Sequence, residues 1–165
     1  METVIRKGCR DDLEVFLQFT HAVRDAMDDT AWFALDPDEE MRELHGAGDM
    51  EFWLAESGCR VAAVFSVIRP GLRAFNLGRQ LGLGEAELLR VTHMDTAAVH
   101  PDFRGRGLQR RMMAEAERFL QGRILLCPIH PVNRYSLQNA IALGYRIQKR
   151  IECYDSVRYV LRKDT

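Results

Sequence analysis

The residues with the clearest chemical signal lie between Leu88 and Leu120. An apolar, β-prone run from Val91 to Val99 meets a turn at His100-Pro101-Asp102, and Phe103-Arg104-Gly105-Arg106-Gly107-Leu108-Gln109 then opens an amphipathic helical pattern. Strand, glycine-rich turn and helix together suit a phosphate. Glycine has no Cβ, so the backbone at Gly105 and Gly107 can turn tightly and bring its N–H groups close to a ligand. The first N–H groups of the following helix lack partners and carry the positive end of its dipole, and Arg104, Arg106, Arg110 and Arg111 add positive charge around them. Two common phosphate loops are excluded. No Lys-Ser/Thr pair follows the second glycine, and the third glycine and later acid of a dinucleotide site are missing.

The elements that must position this turn can be read along the chain. Thr3 to Arg6 forms a first strand, and Asp11-Asp12 caps a helix whose apolar face is Leu13, Phe16, Leu17, Thr20, Val23 and Met27. Asp36-Pro37-Asp38-Glu39 supplies an N-cap, a proline at N1 and a Glu at N3 for a second helix ending by Gly46 or Gly48. Glu51–Glu56 and Arg60–Ile68 pair as a hairpin across Ser57-Gly58-Cys59, Leu72 to Gly84 is a loop or short irregular helix over the sheet, and Glu85-Ala86-Glu87 leads into the central strand. Leu108, Met112, Ala116, Phe119 and Leu120 make one helical stripe, and Arg123 to Cys127 is a short apolar strand stopped by Pro128. A right-handed crossover puts the helix start at the carboxyl edge of the sheet. Asn133 to Leu143 is the next helix with Gly144 after it, followed by strands Tyr145–Tyr154 and Val157–Leu161.

The turn reads Arg-x-x-Gly-x-Gln and follows Val99-His100-Pro101; downstream, Pro131-x-Asn133-x-x-Ser136 precedes Gly144-Tyr145. In both features the chain resembles the GNAT superfamily of acyl-CoA-dependent N-acyltransferases, over roughly Val61 to Leu161. The resemblance implies one domain over residues 1–165 in the α/β class, with a mixed, mostly antiparallel sheet of about six to seven strands, a splayed central parallel pair and about four helices. It also implies acetyl-CoA as acyl donor and a small-molecule or peptide amine as acceptor. The strands ending at Val99 and Cys127 would separate around the pantetheine arm. Ala97 and Val99 would bond its amides, and the backbone from Arg104 through Gly105, Arg106, Gly107, Leu108 and Gln109 to Arg110 would hold the pyrophosphate. Gln109 stands where the family has glycine or alanine, and helical angles in a first turn accommodate it. Asn133 would bond the cofactor arm or cap its helix, and Ser136 would pack against the pantetheine.

Transfer from a thioester requires a deprotonated amine, since an ammonium has no lone pair to attack with, and a base titrating near working pH serves best. His93 and Asp95 lie at offsets before Arg104 where family members often carry their base. Two apart on a strand, they share a face. An unperturbed imidazole titrates at about 6.5, so His93 is the first expectation as base, with Asp95 orienting it or binding the ammonium; a buried hydrogen-bonded pair is the structural alternative. His93→Ala is then expected to abolish the acidic limb of the rate profile. The tyrosine that commonly protonates the leaving thiolate, seven residues after the asparagine, is Ala140 here. Tyr135 is the nearby candidate acid, and water is the alternative.

Lys plus Arg total 23 against 24 Asp plus Glu, a balance that argues against general nucleic-acid binding. No 18-residue apolar run and no N-terminal h-region occur, giving the expectation of a cytoplasmic protein without a membrane partner. Cys9, Cys59, Cys127 and Cys153 are scattered, with no Cys-x-x-Cys pair to suggest a metal site. Asp25, Asp28, Asp29, Asp36, Asp38, Glu39 and Glu40 would suit a cationic amine such as a polyamine or a lysine side chain, although helix capping also accounts for Asp36 to Glu40. Trp32 and Phe33, if exposed, would mark a homodimer surface. Two rival readings are a non-catalytic acyl-CoA-binding regulatory module and an arginine patch for a macromolecular partner.

Overall fold

The computed structural model describes residues 2–165. The chain runs β1 (Thr3–Lys7), α1 (Leu13–Asp25), α2 (Asp38–Gly46), β2 (Met50–Ser57), β3 (Arg60–Ile68), α3 (Glu85–Leu88), β4 (Val91–Val99), α4 (Leu108–Glu117), β5 (Ile124–Ile129), α5 (Arg134–Ala142), β6 (Arg146–Cys153) and β7 (Ser156–Asp164), with 3₁₀ turns at Arg10–Asp12, Leu77–Leu81 and Pro101–Phe103. The strands form one sheet in the order β1-β2-β3-β4-β5-β7-β6, antiparallel except for the β4–β5 pair. The expected mixed sheet with a central parallel pair is therefore present.

Each face of the sheet has its own core. Leu13, Phe16, Leu17 and Val23 of α1 and Met41 and Leu44 of α2 pack with Phe52, Leu54, Val64 and Ile68 on one side. Leu108, Met112, Met113 and Ala116 of α4 pack with Trp53, Phe65, Met94 and Leu125 on the other. Three- and four-residue spacing along each helix delivers these stripes. Tyr145 is buried beneath α4 and donates its hydroxyl proton to Glu117 at 2.8 Å, which ties the end of α5 to α4. Gly8 follows β1 where the sheet edge presses on a ring: a Cβ there would lie 2.0 Å from the Phe52 ring, which is fully buried and packs at a tilt on Phe16 with ring centroids 5.0 Å apart. Gly8→Ala is expected to cost about 1–3 kcal/mol by overpacking, lowering the melting temperature by roughly 3–10 °C, as scanning calorimetry would read.

Two local departures from the sequence reading position the site. The second helix begins at Asp38 with Pro37 at the N-cap, and Asp36 makes no capping bond. A residue before proline is held extended, so the Asp36 side chain is turned away from the helix start. In addition, β5 continues through Pro128 to Ile129 rather than stopping at Cys127. Proline lacks an N–H and sits in strands where no ladder bond is needed. Beyond the His93–Leu126 pairing β4 no longer runs alongside β5, so the missing donor is tolerated.

Candidate active site

The parallel ladder between β4 and β5 consists of Val91–Ile124, Thr92–Leu125 and His93–Leu126 only. Past this point the strands separate. The β5-facing groups of β4 and the β4-facing groups of β5 are then free to bond an extended chain laid between them. Ala97 lines this opening, as do Cys127 and Ile129 opposite it, with Gln109, Asn133 and Ser136 at the α4–α5 side. Val99 lies further along β4, paired with Ala63, and does not line the cleft.

Helix α4 starts where the sequence places it. Gly105 (φ 76°) and Gly107 (φ 67°) are both left-handed, the region that penalises any Cβ. A Cβ built on either meets no protein atom within 4 Å. The glycines therefore answer to backbone shape and to open space in front of the helix, not to internal crowding. Arg111 N–H is the first in the helix to bond back, to Gly107 O at 3.0 Å, which leaves the amides of Leu108, Gln109 and Arg110 pointing out of the helix start. Of the nearby arginines, Arg106 packs its guanidinium 5.0 Å from the Phe103 ring, Arg110 reaches Asn139 at 3.4 Å, and Arg111 turns away to Thr3 O. Arg104 is exposed at the mouth of the turn.

The side chains of α4 and α5 meet over the opening. Gln109 Nε2 donates to Ser136 Oγ at 2.9 Å, and Asn139 Nδ2 donates to Gln109 Oε1 at 3.2 Å. Asn133 Oδ1 accepts from Ser136 N–H at 3.2 Å and so caps α5. The glutamine at the end of the glycine motif thus gains a structural task, pinning the two helices that border the cleft.

Asp95 stands at a bulge. Phe65 pairs with Ala97 and Val67 with Met94, so Ser66 alone faces both Asp95 and Thr96. The Ser66 hydroxyl accepts the Thr96 amide at 3.1 Å and donates to Asp95 at 3.2 Å; the Thr96 hydroxyl donates to the same oxygen at 2.9 Å. Asp36 lines the same cleft. Burial, the Asp95 carboxylate and then Glu40 push its carboxyl up to about 7. Asp95 is likewise pushed up, by burial first, with the two hydroxyl bonds opposing the shift. Two carboxyls in one shielded cleft cannot both ionise readily.

The other expected catalytic groups lie elsewhere. His93 is 3% exposed, sealed beneath the Leu77–Leu81 turn; its Nε2 accepts the Leu77 N–H at 3.1 Å and its ring meets Phe75 edge-on. It makes no hydrogen bond with Asp95 among the described residues, and burial pushes its pKa down to about 4. An imidazole whose lone pair already holds a buried amide is unavailable as a base. His93→Ala is therefore expected to orphan the Leu77 amide and cost about 1–3 kcal/mol of stability, while the acidic limb of the rate profile stays in place. Tyr135 is 79% exposed on the outer face of α5 and is not among the residues lining the cleft. Cys127 does line it, but burial and then Asp95 push its thiol up to about 12, so it stays protonated and is a poor nucleophile.

Five residues of the cleft are not placed there by the sequence alone. Asp36 reads as a helix cap or as one of several acids for a cationic amine. Trp32 and Phe33, which would have suited a dimer patch if exposed, are half-buried and line the cleft. Tyr154 and Arg158 come from the β6–β7 hairpin, whose turn residues Tyr154 (φ 54°) and Asp155 (φ 55°) are both left-handed without being glycine. Only the Asp-Pro dipeptide carried a usable signal.

The model of the Acetyltransferase (GNAT) family matches residues 20–145. The chain belongs to that family. No curated protein sequence matches it significantly. Similar solved structures include an N-acetyltransferase from Staphylococcus aureus (TM-score 0.73, 14% identity, 99% of this chain and 99% of that one). An acetyltransferase of the GNAT family from Streptococcus pneumoniae (0.70, 16%, 98% and 98%) and Arabidopsis thaliana NAA60 in complex with acetyl-CoA (0.71, 13%, 98% and 98%) are further examples. At these identities the likeness establishes the shared fold. The protein is accordingly a GNAT acetyltransferase with the family's splayed central strands. No helix among the described residues is long and apolar enough to cross a membrane.

Proposed function

We propose that this acetyltransferase takes its acetyl group from acetyl-CoA and passes it to the primary amine of a small molecule or peptide by direct attack. The observation that carries the reading is the start of α4 standing beside the cleft, with Gln109 of its first turn lining that cleft. Outward-pointing amides and arginines stand at the α4 start, where a pyrophosphate fits, and the Asp36–Asp95 pair stands inside the cleft, where an amine must lose a proton. The free backbone edges of β4 and β5 suit the amide-bearing pantetheine arm between them.

In the proposed reaction an ammonium is drawn to the carboxyls and gives up a proton to them. The amine nitrogen bonds the acetyl carbon, the C–S bond breaks, and CoA leaves as a thiolate that takes up a proton from water. A thiol pKa of about 8.5 makes a dedicated acid unnecessary. Asp95, at the bulge beside the opening, is the proton acceptor, and Asp36 tunes it. A carboxyl works as a base only when ionised, and both carboxyls are held above the usual carboxylate range, so the rate should fall toward acid pH as they take up protons.

The experiment is calorimetric titration with acetyl-CoA, followed by measurement of thiol release from acetyl-CoA with a panel of amines. Micromolar binding and amine-dependent release are expected. Binding without release for any amine would favour the non-catalytic acyl-CoA-binding module instead.

A further inference from the structure

Arg158, on β7, is 3% exposed and lines the cleft. Its Nη2 donates to Ala31 O at 2.9 Å and its Nη1 reaches Val157 O at 3.5 Å. Among the described residues it has no ion-pair partner, in contrast to Arg6, Arg42, Arg60, Arg69, Arg73 and Arg162, each of which meets a carboxylate. A guanidinium does not deprotonate in a protein and offers five N–H donors; two carbonyl bonds leave most of them unused. A buried charge is tolerated when something pairs it, and the protein supplies nothing that does.

Two more donors stand in the same cleft. Trp32 Nε1–H is fully shielded and has no acceptor among the described residues. His130 accepts the Val132 N–H through Nδ1 at 3.1 Å, which puts the ring proton of the neutral imidazole on Nε2. Burial and then Arg158 hold its pKa below the usual value, keeping it neutral. Asp29, the acid on this side, is exposed and bonds the Ala31 amide at 2.9 Å. Tyr154, 43% exposed, also lines the cleft: partial burial, then Asp95 and Asp36, raise its phenol, and Arg158 opposes them. Carboxyls and a guanidinium thus line one cleft. Pyrophosphate binding at the α4 start leaves this second cationic end unexplained, because neither Gly105 nor Gly107 lines the cleft.

We infer that the acceptor is a small amine that also bears a carboxylate, as in an amino acid, with Arg158 pairing the carboxylate and the Trp32 N–H bonding it while Asp36 and Asp95 face the amine. The inference rests on the acetyltransferase reading above and narrows its acceptor. A buried, unpaired cation at the acceptor end disfavours polyamines, whose far end would bring a second positive charge to Arg158.

The test compares kcat/KM for the protein amino acids with that for their carboxamides, which keep the amine and lose the negative charge. The carboxamides have the more easily deprotonated amine, so chemistry alone favours them. The expected result is a preference of about 100-fold or more for the best amino acids. Arg158→Gln should shrink that preference below about tenfold, chiefly through KM, with Arg158→Lys intermediate; calorimetry should give an unchanged acetyl-CoA affinity in both variants. Equal or better use of the carboxamides by the wild-type protein would overturn the inference. So would turnover of no amino acid while acetyl-CoA still binds, or a parallel loss on both series in Arg158→Gln. These wild-type comparisons decide even if the variants fold poorly. Absence of acetyl-CoA binding in the wild-type protein is a different failure, that of the acetyltransferase reading itself.

Discussion

Asp95→Asn should lower kcat/KM for acetyl transfer by about 10²- to 10⁴-fold, the range a positioned general base supplies, and leave acetyl-CoA affinity intact. The asparagine keeps the shape of the side chain and the Ser66 and Thr96 contacts but removes the proton acceptor. Asp36→Asn should behave differently. Asp95 remains but loses a like-charged neighbour, so its proton leaves more easily and the acidic limb moves to lower pH. In the residual activity of Asp95→Asn the limb also moves down, because Asp36 then carries only burial and Glu40 among its upward influences. Stopped-time assays of thiol release from pH 5 to 9 would read both shifts. A limb that stays in place in both variants would mean that neither carboxyl sets it.

The second large effect is expected at the start of α4. Gly107→Glu should abolish measurable acetyl-CoA binding, at least 100-fold in affinity, while the fold survives with a loss of about 1–2 kcal/mol from placing a side chain at φ 67°. The reason for the separation is geometric. A Cβ on Gly107 meets nothing in the protein, so the penalty within the fold is limited to the backbone angle. The glutamate instead occupies the open space before the helix amides and puts a negative charge where the pyrophosphate must sit. Calorimetric titration and a melting curve on the same sample would distinguish loss of a ligand site from loss of the fold.

The sheet and the glycine–arginine turn that opens α4 were legible in the sequence because they are built from local signals. Apolar runs marked the strands, stripes marked α1 and α4, and the glycine–arginine turn needed only consecutive residues to declare itself. The acceptor end was legible only in part, because it is assembled from distant segments. Asp36, Asp95 and Arg158 come from a pre-helix segment, a bulge and the last hairpin. The offset of Asp95 flagged it, but nothing in the sequence set it against Asp36. His93 shows the converse. Its type and position suited a base, and only the packing of the Leu77–Leu81 turn, which takes its lone pair for a backbone amide, reveals it as a support for β4. Asp36 was misread for a local reason: an aspartate before a proline fits a helix cap, but with Pro37 itself at the cap the carboxylate is left for the cleft. Pro128 carries a similar lesson, since a proline ends a strand only where its missing N–H is needed.

The most direct test of the central claim is carbon-detected titration of the aspartate carboxyls in the wild-type protein and in Asp36→Asn and Asp95→Asn. The account predicts a carboxyl resonance titrating near pH 7 in the wild-type protein, assigned to Asp36 by its loss in Asp36→Asn and displaced to lower pH in Asp95→Asn. Aspartates that all titrate in the ordinary range near 4 would contradict it and assign the base to another group.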